Sequence, residues 1–249
     1  MLPTTIDEVI TEMESIIQEC IKTNNRAGYF AALYHAVTCR IKQGIAAGEF
    51  EDNIRMEKLD VCFANRYLTA WRTWKTGGQT SEAWRVAFTA CKQWNPVVLQ
   101  HLLLGMNAHI NLDLGIATVE VTKGADIETI HRDFNLINTI LASMVYKVIN
   151  QLNQVSPLLS LLGFHATNTN LMLVQFTIEQ ARDGAWVFAS DLSRKSGNIY
   201  DSCIKTRDTS IAKLAYNLAN PQKLARFTTF VIRVFETQKT KKVIQVLLK

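Results

Sequence analysis

Apolar residues recur at intervals of three and four along most of the chain, the spacing that places them on one face of an α-helix. The first segment shows this most clearly, because Thr5 and Glu8 match a capping box and apolar residues then follow at helical spacing to about Thr23. Further helices are predicted over residues 26–47, 52–76, 81–94, 97–117, 126–153, 157–162, 170–193, 199–218 and 222–240.

Residues that end helices separate these segments. Gly48 and the Gly77–Gly78 pair follow predicted helix ends, and Asn95–Pro96 cannot continue a helix. One short stretch, Thr118–Thr122, alternates β-branched residues and is predicted to be extended. No long linker and no internal repeat is present, so we expect one all-α domain over residues 1–249, a bundle of about eight to ten helices.

Composition supports this prediction and narrows the class of protein. The chain has 249 residues, 48% of them hydrophobic, and its 4 prolines and 11 glycines are too few turn formers for a β-sandwich of this size. It has no apolar run of about 18 residues and no apolar leader, so we expect a cytoplasmic protein without a transmembrane segment. The five cysteines form no Cys-x-x-Cys pair and are predicted to be free thiols. The pattern does not indicate an oligomeric state.

Charge is divided unevenly along the chain, whose formal net charge is +5. Residues 1–60 carry ten acidic side chains against six basic ones, whereas residues 205–249 carry ten basic side chains against two acidic ones. A basic C-terminal part can favour an anionic surface such as phospholipid head groups, or it can be a solvated helix face. The chain has neither a Cys/His finger spacing nor an aromatic RNA-binding signature, so we do not expect a nucleic-acid partner.

The helix predicted over residues 97–117 carries the strongest candidate chemistry. His109 and Asp113 lie one turn apart on one face, where an imidazole nitrogen and a carboxylate oxygen can bind the same divalent ion. His101 lies two turns before His109, on a flank of that face. Two alternatives stay open for the pair: a buried hydrogen bond, because buried polar groups need partners, and acid–base chemistry without a metal.

Polar residues on other predicted helices are candidates to complete such a site. His35, Asp60 and His131 each lie on a predicted helix, and Arg66 is a candidate clamp for a phosphate group. For His35 and His131 the alternative is a purely structural role, on a helix surface or in the core. The predicted metal ligands are therefore His35, His101, His109, Asp113 and His131, with Asp60 and Arg66 in catalytic roles.

Two resemblances accompany these residues. Residues 104–113, Leu-Gly-Met-Asn-Ala-His-Ile-Asn-Leu-Asp, resemble the His-x-x-x-Asp helix of the zinc-dependent phospholipase C and P1-type nuclease superfamily. That resemblance implies an all-α fold and a zinc site to which His109 and Asp113 contribute, with His35 and Asp60 on preceding helices. The same segment, together with Phe63–Tyr67, resembles more closely a bacterial family of unknown function, and this second resemblance implies only the fold.

Two functions are predicted from these features. The first is a metal-dependent hydrolase of a small-molecule or lipid phosphoester, or a degenerate relative of one, in which bound zinc or another divalent metal activates water. The alternative is a non-catalytic helical binding protein for a lipid or protein partner. The chain has no G-x-G-x-x-G segment, no P-loop and no G-x-S-x-G, so we expect no nucleotide cofactor and no serine-hydrolase chemistry.

Overall fold

The computed structural model describes residues 1–162 and 178–249, and within these ranges it contains ten α-helices and no β-strand. The helices are α1 (Ile6–Thr23), α2 (Ala27–Ala46), α3 (Asn53–Lys75), α4 (Glu82–Cys91), α5 (Val98–Val121), α6 (His131–Val155), α7 (Ile178–Leu192), α8 (Gly197–Ala219), α9 (Lys223–Phe235) and α10 (Thr240–Leu247). Short 3-10 turns occupy Ile127–Ile130 and Leu159–Leu162. The all-α prediction is confirmed. The predicted start of a helix at residue 170 lies outside the described residues.

Local capping explains where several helices begin. The Thr5 hydroxyl accepts from the Glu8 amide, the Asp52 carboxylate from the Arg55 amide, and the Ser81 hydroxyl from the Trp84 amide. These bonds satisfy amide groups that have no partner inside the first helical turn. The three start sites are those that the sequence predicts.

Three carboxylates from distant parts of the chain accept hydrogen bonds from backbone amides at the starts of other helices. Asp133 on α6 accepts from the amides of Glu51 and Asp52, just before α3. Asp208 on α8 accepts from the first two amides of α4. Glu236, which follows α9, accepts from the first amide of α5. A negative charge at a helix N-terminus stabilises the helix, so these contacts also fix how the helices sit against one another.

Helix α5 is the centre of the bundle and contacts α2, α3, α4, α7 and α8. It is the one helix of the described residues that is long and apolar enough to cross a membrane, and 83% of its most apolar window is buried inside the protein. That burial is typical of a core helix. Its apolar side chains belong to a core that extends from α1 to α10.

The middle of α5 departs from α-helical geometry. Residues His109–Leu114 form a π-helical turn between two α-helical parts, Val98–Ala108 and Gly115–Val121. A Cβ atom on Gly105 would lie 2.4 Å from Cγ of Phe30, and one on Gly115 would lie 2.6 Å from Cδ1 of Phe188. Glycine at these two positions therefore allows aromatic rings to pack directly on the α5 backbone on both sides of the π-helical turn.

Two sequence predictions about local structure are wrong. Thr118–Thr122 is not extended, because α5 continues through it to Val121 and the hydroxyls of Thr118 and Thr122 donate to carbonyl oxygens one turn earlier, at 2.8 Å. Both threonines are buried, and packing outweighs their β-propensity. The helix predicted over residues 222–240 ends at Phe235, where Glu236 turns inward to α5, and a further helix, α10, which the sequence did not predict, begins at Thr240.

All five cysteines are free thiols, as predicted. Burial raises the pKa of Cys20 to about 12 and that of Cys91 to about 12. Thiols with such pKa values stay protonated at neutral pH and behave as small apolar side chains.

The close packing at Gly105 generates the first testable prediction. Gly105→Ala is expected to destabilise the protein by roughly 1–3 kcal/mol, because the new methyl group overlaps the Phe30 ring. Gly184→Ala on α7 is the matched control, since its Cβ would be 3.5 Å from the nearest atom, and it should stabilise by up to about 1 kcal/mol through helix propensity. Urea unfolding measures both; equal effects of the two changes would contradict the packing described for α5.

Candidate functional site

The carboxylate of Asp113 is the focus of the candidate site. It is buried in the π-helical turn of α5 and accepts hydrogen bonds from Arg66 Nε on α3 at 3.0 Å and from Trp84 Nε1 on α4 at 2.8 Å. Nδ1 of His109, one turn earlier, lies 3.5 Å from the same carboxylate. One buried negative charge thus joins three helices through a guanidinium, an indole and an imidazole.

His109 lies in a cage of aromatic rings. Phe63 stacks on its face with ring centroids 3.5 Å apart and planes within 6°, and Tyr34 approaches at 4.3 Å. Three more rings, those of Phe30, Tyr67 and Trp84, have centroids within 6.2 Å of the imidazole.

Burial lowers the pKa of His109, so the ring is neutral at neutral pH. Its Nδ1 faces Asp113, while Nε2 is buried and has no hydrogen-bond partner in the described part of the chain. Because the Asp113 carboxylate accepts a hydrogen bond, it favours the form of the ring that carries its hydrogen on Nδ1. The lone pair of Nε2 is then free to accept a hydrogen bond or a proton.

A second buried carboxyl group lies near this cage. Burial, and to a smaller extent the charge of Glu57, raises the pKa of Asp60 on α3 to about 7, and its Oδ2 has no hydrogen-bond partner among the described residues. Burial followed by the charges of Asp60 and Asp113 raises the pKa of Tyr34, which places this phenol near both carboxyl groups. Part of the Asp60 population is therefore protonated at neutral pH.

A groove of about 690 Å³ lies beside this buried site. Arg66 belongs to both: its Nε atom binds Asp113 in the interior, and its exposed part lines the groove, where Nη1 is 3.4 Å from the carboxylate of Glu120. The other lining residues are Leu2, Thr4, Thr5, Ile54, Glu57, Lys58, Val61, Cys62, Asn65, Thr69 and Glu120. The sequence identified Arg66 but gave no signal for the groove, because residues from the N-terminus, α3 and α5 meet there only in the folded chain.

The remaining predicted ligands lie in other surroundings. His35 on α2 is 3.5 Å from Glu14 of α1. His131 at the start of α6 stacks on Trp186 with centroids 4.1 Å apart and is 3.3 Å from Glu128.

His101 is buried against the edge of Tyr29, with its Nδ1 3.9 Å from the Cys91 sulfur. Burial, with the nearby positive charges of Arg26 and Arg233, lowers its pKa to about 3. Of the five predicted metal ligands, only His109 and Asp113 are in contact with each other.

The residues present do not fit a zinc centre in this arrangement. Zinc sites need at least three protein donors, and within residues 1–162 and 178–249 no group of three His, Cys, Asp or Glu side chains could hold a metal ion. Both oxygens of Asp113 already accept hydrogen bonds, one of them from a guanidinium whose positive charge opposes a second cation. The Asp113 carboxylate orients His109 and Arg66 here. Metal binding itself stays a prediction.

From the sequence, Phe63 and Trp84 are aromatic residues that could line a pocket or pack in the core, and their contacts with His109 and Asp113 were not predicted. Trp84 supplies the shortest hydrogen bond to Asp113, and Phe63 covers the face of His109. A sequence signal existed for Trp84, because the Ser81 cap fixes its position in the first turn of α4. Phe63 had none beyond helical periodicity.

Comparison with known proteins gives one match. A family described as a family of unknown function (DUF5995) matches residues 6–221 of the chain. No curated protein and no solved structure matches. The predicted membership of a family of unknown function is confirmed, whereas the resemblance to zinc-dependent phospholipases and P1-type nucleases receives no support.

The buried carboxyl group of Asp60 generates a prediction for the pH dependence of stability. Its folded-state pKa of about 7 exceeds the ordinary value of 3.8, so its contribution to stability is present below pH 4 and is lost as the pH rises through 7. The asparagine in Asp60→Asn cannot titrate, so the variant does not lose stability in this way. As the pH rises from 4 to 8, its free energy of unfolding should increase by roughly 2–4 kcal/mol relative to that of wild type.

Chemical denaturation across this pH range measures the difference. Asp201→Asn, at an exposed carboxylate on α8, controls for the loss of a charge. If the free energy of unfolding changed with pH in the same way for wild type and Asp60→Asn, the raised pKa of Asp60 would be contradicted.

Proposed function

The chain belongs to DUF5995, a family of unknown function, and we propose that it is a non-catalytic helical binding protein that holds a small phosphoester in the groove beside Arg66. The observation that carries this proposal is the placement of Arg66 between the buried Asp113 carboxylate and the groove. A guanidinium fixed in this way is ordered before a ligand arrives, which lowers the entropic cost of binding.

Arg66 can offer part of its guanidinium to a ligand. Its Nε is held at 3.0 Å by Asp113, yet 28% of the side chain is exposed. Guanidinium groups bind phosphate and carboxylate oxygens through parallel hydrogen bonds. The buried partner thus supplies orientation, and the exposed part supplies the binding contact.

Two cations, Lys58 and Arg66, line the groove beside two carboxylates, so an anion can bind both cations where a carboxylate moves aside. Lys58 is exposed, lines the groove with Arg66 and makes no ion pair with a described residue. Of the two acidic side chains, Glu57 already accepts from the Ile6 amide at 3.3 Å. Glu120 is 46% exposed, so a ligand phosphate can displace it from Arg66. Two cations suit a phosphate monoester better than a singly charged carboxylate.

The groove also offers apolar contacts for the rest of such a ligand. Leu2, Ile54 and Val61 line it, and its volume of about 690 Å³ is that of a site for a small organic molecule. A phosphoester with an apolar substituent therefore matches both kinds of surface.

Binding without hydrolysis follows from the state of the potential nucleophiles and bases. Burial and a hydrogen bond to Glu120 raise the pKa of Cys62, the thiol in the groove, to about 12, so it is not a thiolate at neutral pH. His109 and Asp60 are buried behind Phe63 and the helices, outside the lining of the groove. Cys62 is therefore a poor nucleophile, and neither His109 nor Asp60 lines the groove in which Arg66 would hold the phosphate.

The proposal predicts a measurable order of affinities. By isothermal titration, 4-nitrophenyl phosphate should bind more tightly than 4-nitrobenzoate, and 4-nitrophenol should not bind measurably. Lys58→Gln should weaken phosphate binding roughly two- to fivefold by removing one exposed charge. Arg66→Gln should weaken it at least roughly tenfold through the loss of a charged hydrogen-bond donor.

Lys75→Gln, at another exposed lysine of α3 outside the groove, is the matched control and should leave binding unchanged. Lys58→Gln leaves the Arg66–Asp113 contact intact, so its effect does not depend on folding. Equal affinity of wild type and Lys58→Gln for the phosphate, or release of 4-nitrophenol by the protein, would overturn the proposal.

The metal-dependent hydrolase is the second candidate, and one observation favours it. A histidine that binds a metal through one ring nitrogen usually donates from the other to a carboxylate, and His109 has this relation to Asp113, with Nε2 unpartnered. His109 would then be a ligand and Asp113 its orienting partner.

Metal analysis of protein purified without a His tag separates the two functions. Under the binding proposal we expect no stoichiometric metal after zinc supplementation, and thermal melts with and without a chelator that coincide. Stoichiometric zinc, manganese or iron that is lost in His109→Ala, together with a melt lowered by chelator, would support the hydrolase instead.

A further inference from the structure

Helix α9 presents five apolar side chains to solvent and, apart from Ile232, buries mainly polar side chains against the protein. The side chains of Leu224, Phe227, Phe230, Val234 and Phe235, here called the apolar face of α9, are 82%, 67%, 53%, 51% and 64% exposed. They lie within about 140° of the helix circumference at 100° per residue. Thr229, Arg233 and Glu236, in contrast, are at most 4% exposed.

The buried polar contacts hold α9 in this orientation. Arg233 donates to Glu236 at 3.0 Å and to the Trp94 carbonyl at 2.6 Å. Glu236 also accepts from the first amide of α5 and from the Ser156 hydroxyl. Turning the helix to bury its apolar face would expose the face that makes these contacts and leave charged groups without partners. The apolar face is therefore a fixed feature of the fold.

The exposed charged side chains of α9 itself, Lys223 and Arg226, are both positive. Residues 222–235 contain no Asp or Glu; exposed Arg226 lies at the flank of the apolar face, and exposed Lys223 lies at its N-terminal end. The indole of Trp94 adds a partly exposed aromatic ring 6.1 Å from that of Phe230. Exposed lysines follow immediately on α10, at residues 241 and 242.

We propose that α9 docks the protein onto an anionic lipid surface, with its apolar face inserted at the level of the acyl chains and Lys223 and Arg226 at the phosphates. Helices that lie in a membrane interface combine a contiguous apolar face, aromatic side chains and flanking cations, and α9 has all three. Contiguous exposed apolar patches mark interaction sites. The absence of acidic residues from α9 matches the negative charge of the surface.

This site is separate from the groove beside Arg66 and does not depend on it. None of the residues that line the groove belongs to α9. Loss of phosphoester binding would leave the lipid surface proposal unaffected, and the reverse also holds.

Cosedimentation of the full chain with vesicles tests the proposal. We expect binding to vesicles of phosphatidylcholine mixed with phosphatidylserine, at least roughly fivefold weaker binding to phosphatidylcholine alone, and weakening by salt. Phe227→Gln with Phe230→Gln should abolish binding, and Lys223→Gln with Arg226→Gln should remove the preference for phosphatidylserine. All four positions are exposed, so these changes leave the core intact.

Val187→Gln with Ile199→Gln is the matched control, because both side chains are exposed apolar residues on other helices. This pair should bind vesicles as wild type does. Failure of wild type to bind either vesicle, or equal binding by the Phe227/Phe230 variant, would overturn the proposal. A dimer in analytical ultracentrifugation that the same two phenylalanine changes disrupt, without vesicle binding, would assign the face to a second copy of the chain and likewise overturn it.

Discussion

The buried carboxylate of Asp113 is the constraint on which the centre of the protein depends. A charge in the core is stable only when it is paired and hydrogen-bonded, and here Arg66 and Trp84 supply the donors. Those donors come from α3 and α4, so satisfying the carboxylate fixes both helices against α5. The same requirement aligns His109 and keeps the Arg66 guanidinium in place at the edge of the groove.

Long-range polar contacts fix other helices of the bundle against one another in the same way. Asp133, Asp208 and Glu236 each accept from backbone amides at or just before the start of another helix. Every such contact joins segments far apart in the chain. At α9 these contacts also determine which side chains are exposed. Because Arg233 and Glu236 are held inside the protein, the apolar face of the helix lies at the surface.

The two proposals assign different chemistry to different parts of the molecule. The groove beside Arg66 has a volume suited to a small molecule and cations suited to a phosphate, whereas the apolar face of α9 is an open surface suited to lipid. Neither uses the unpartnered Nε2 of His109 or Oδ2 of Asp60.

The all-α class, the capped starts of α1, α3 and α4, and the location of polar residues on the central helix could be predicted from the sequence, because these features depend on periodicity and on bonds within a few residues. The helical state of Thr118–Thr122 was decided by burial, and the separation of His35 and His131 from His109 by how the helices pack. Spacing along one helix shows that His109 and Asp113 share a face. Only the tertiary structure, by bringing Arg66 and Trp84 to that face, decided that Asp113 orients its neighbours and that a groove lies beside it.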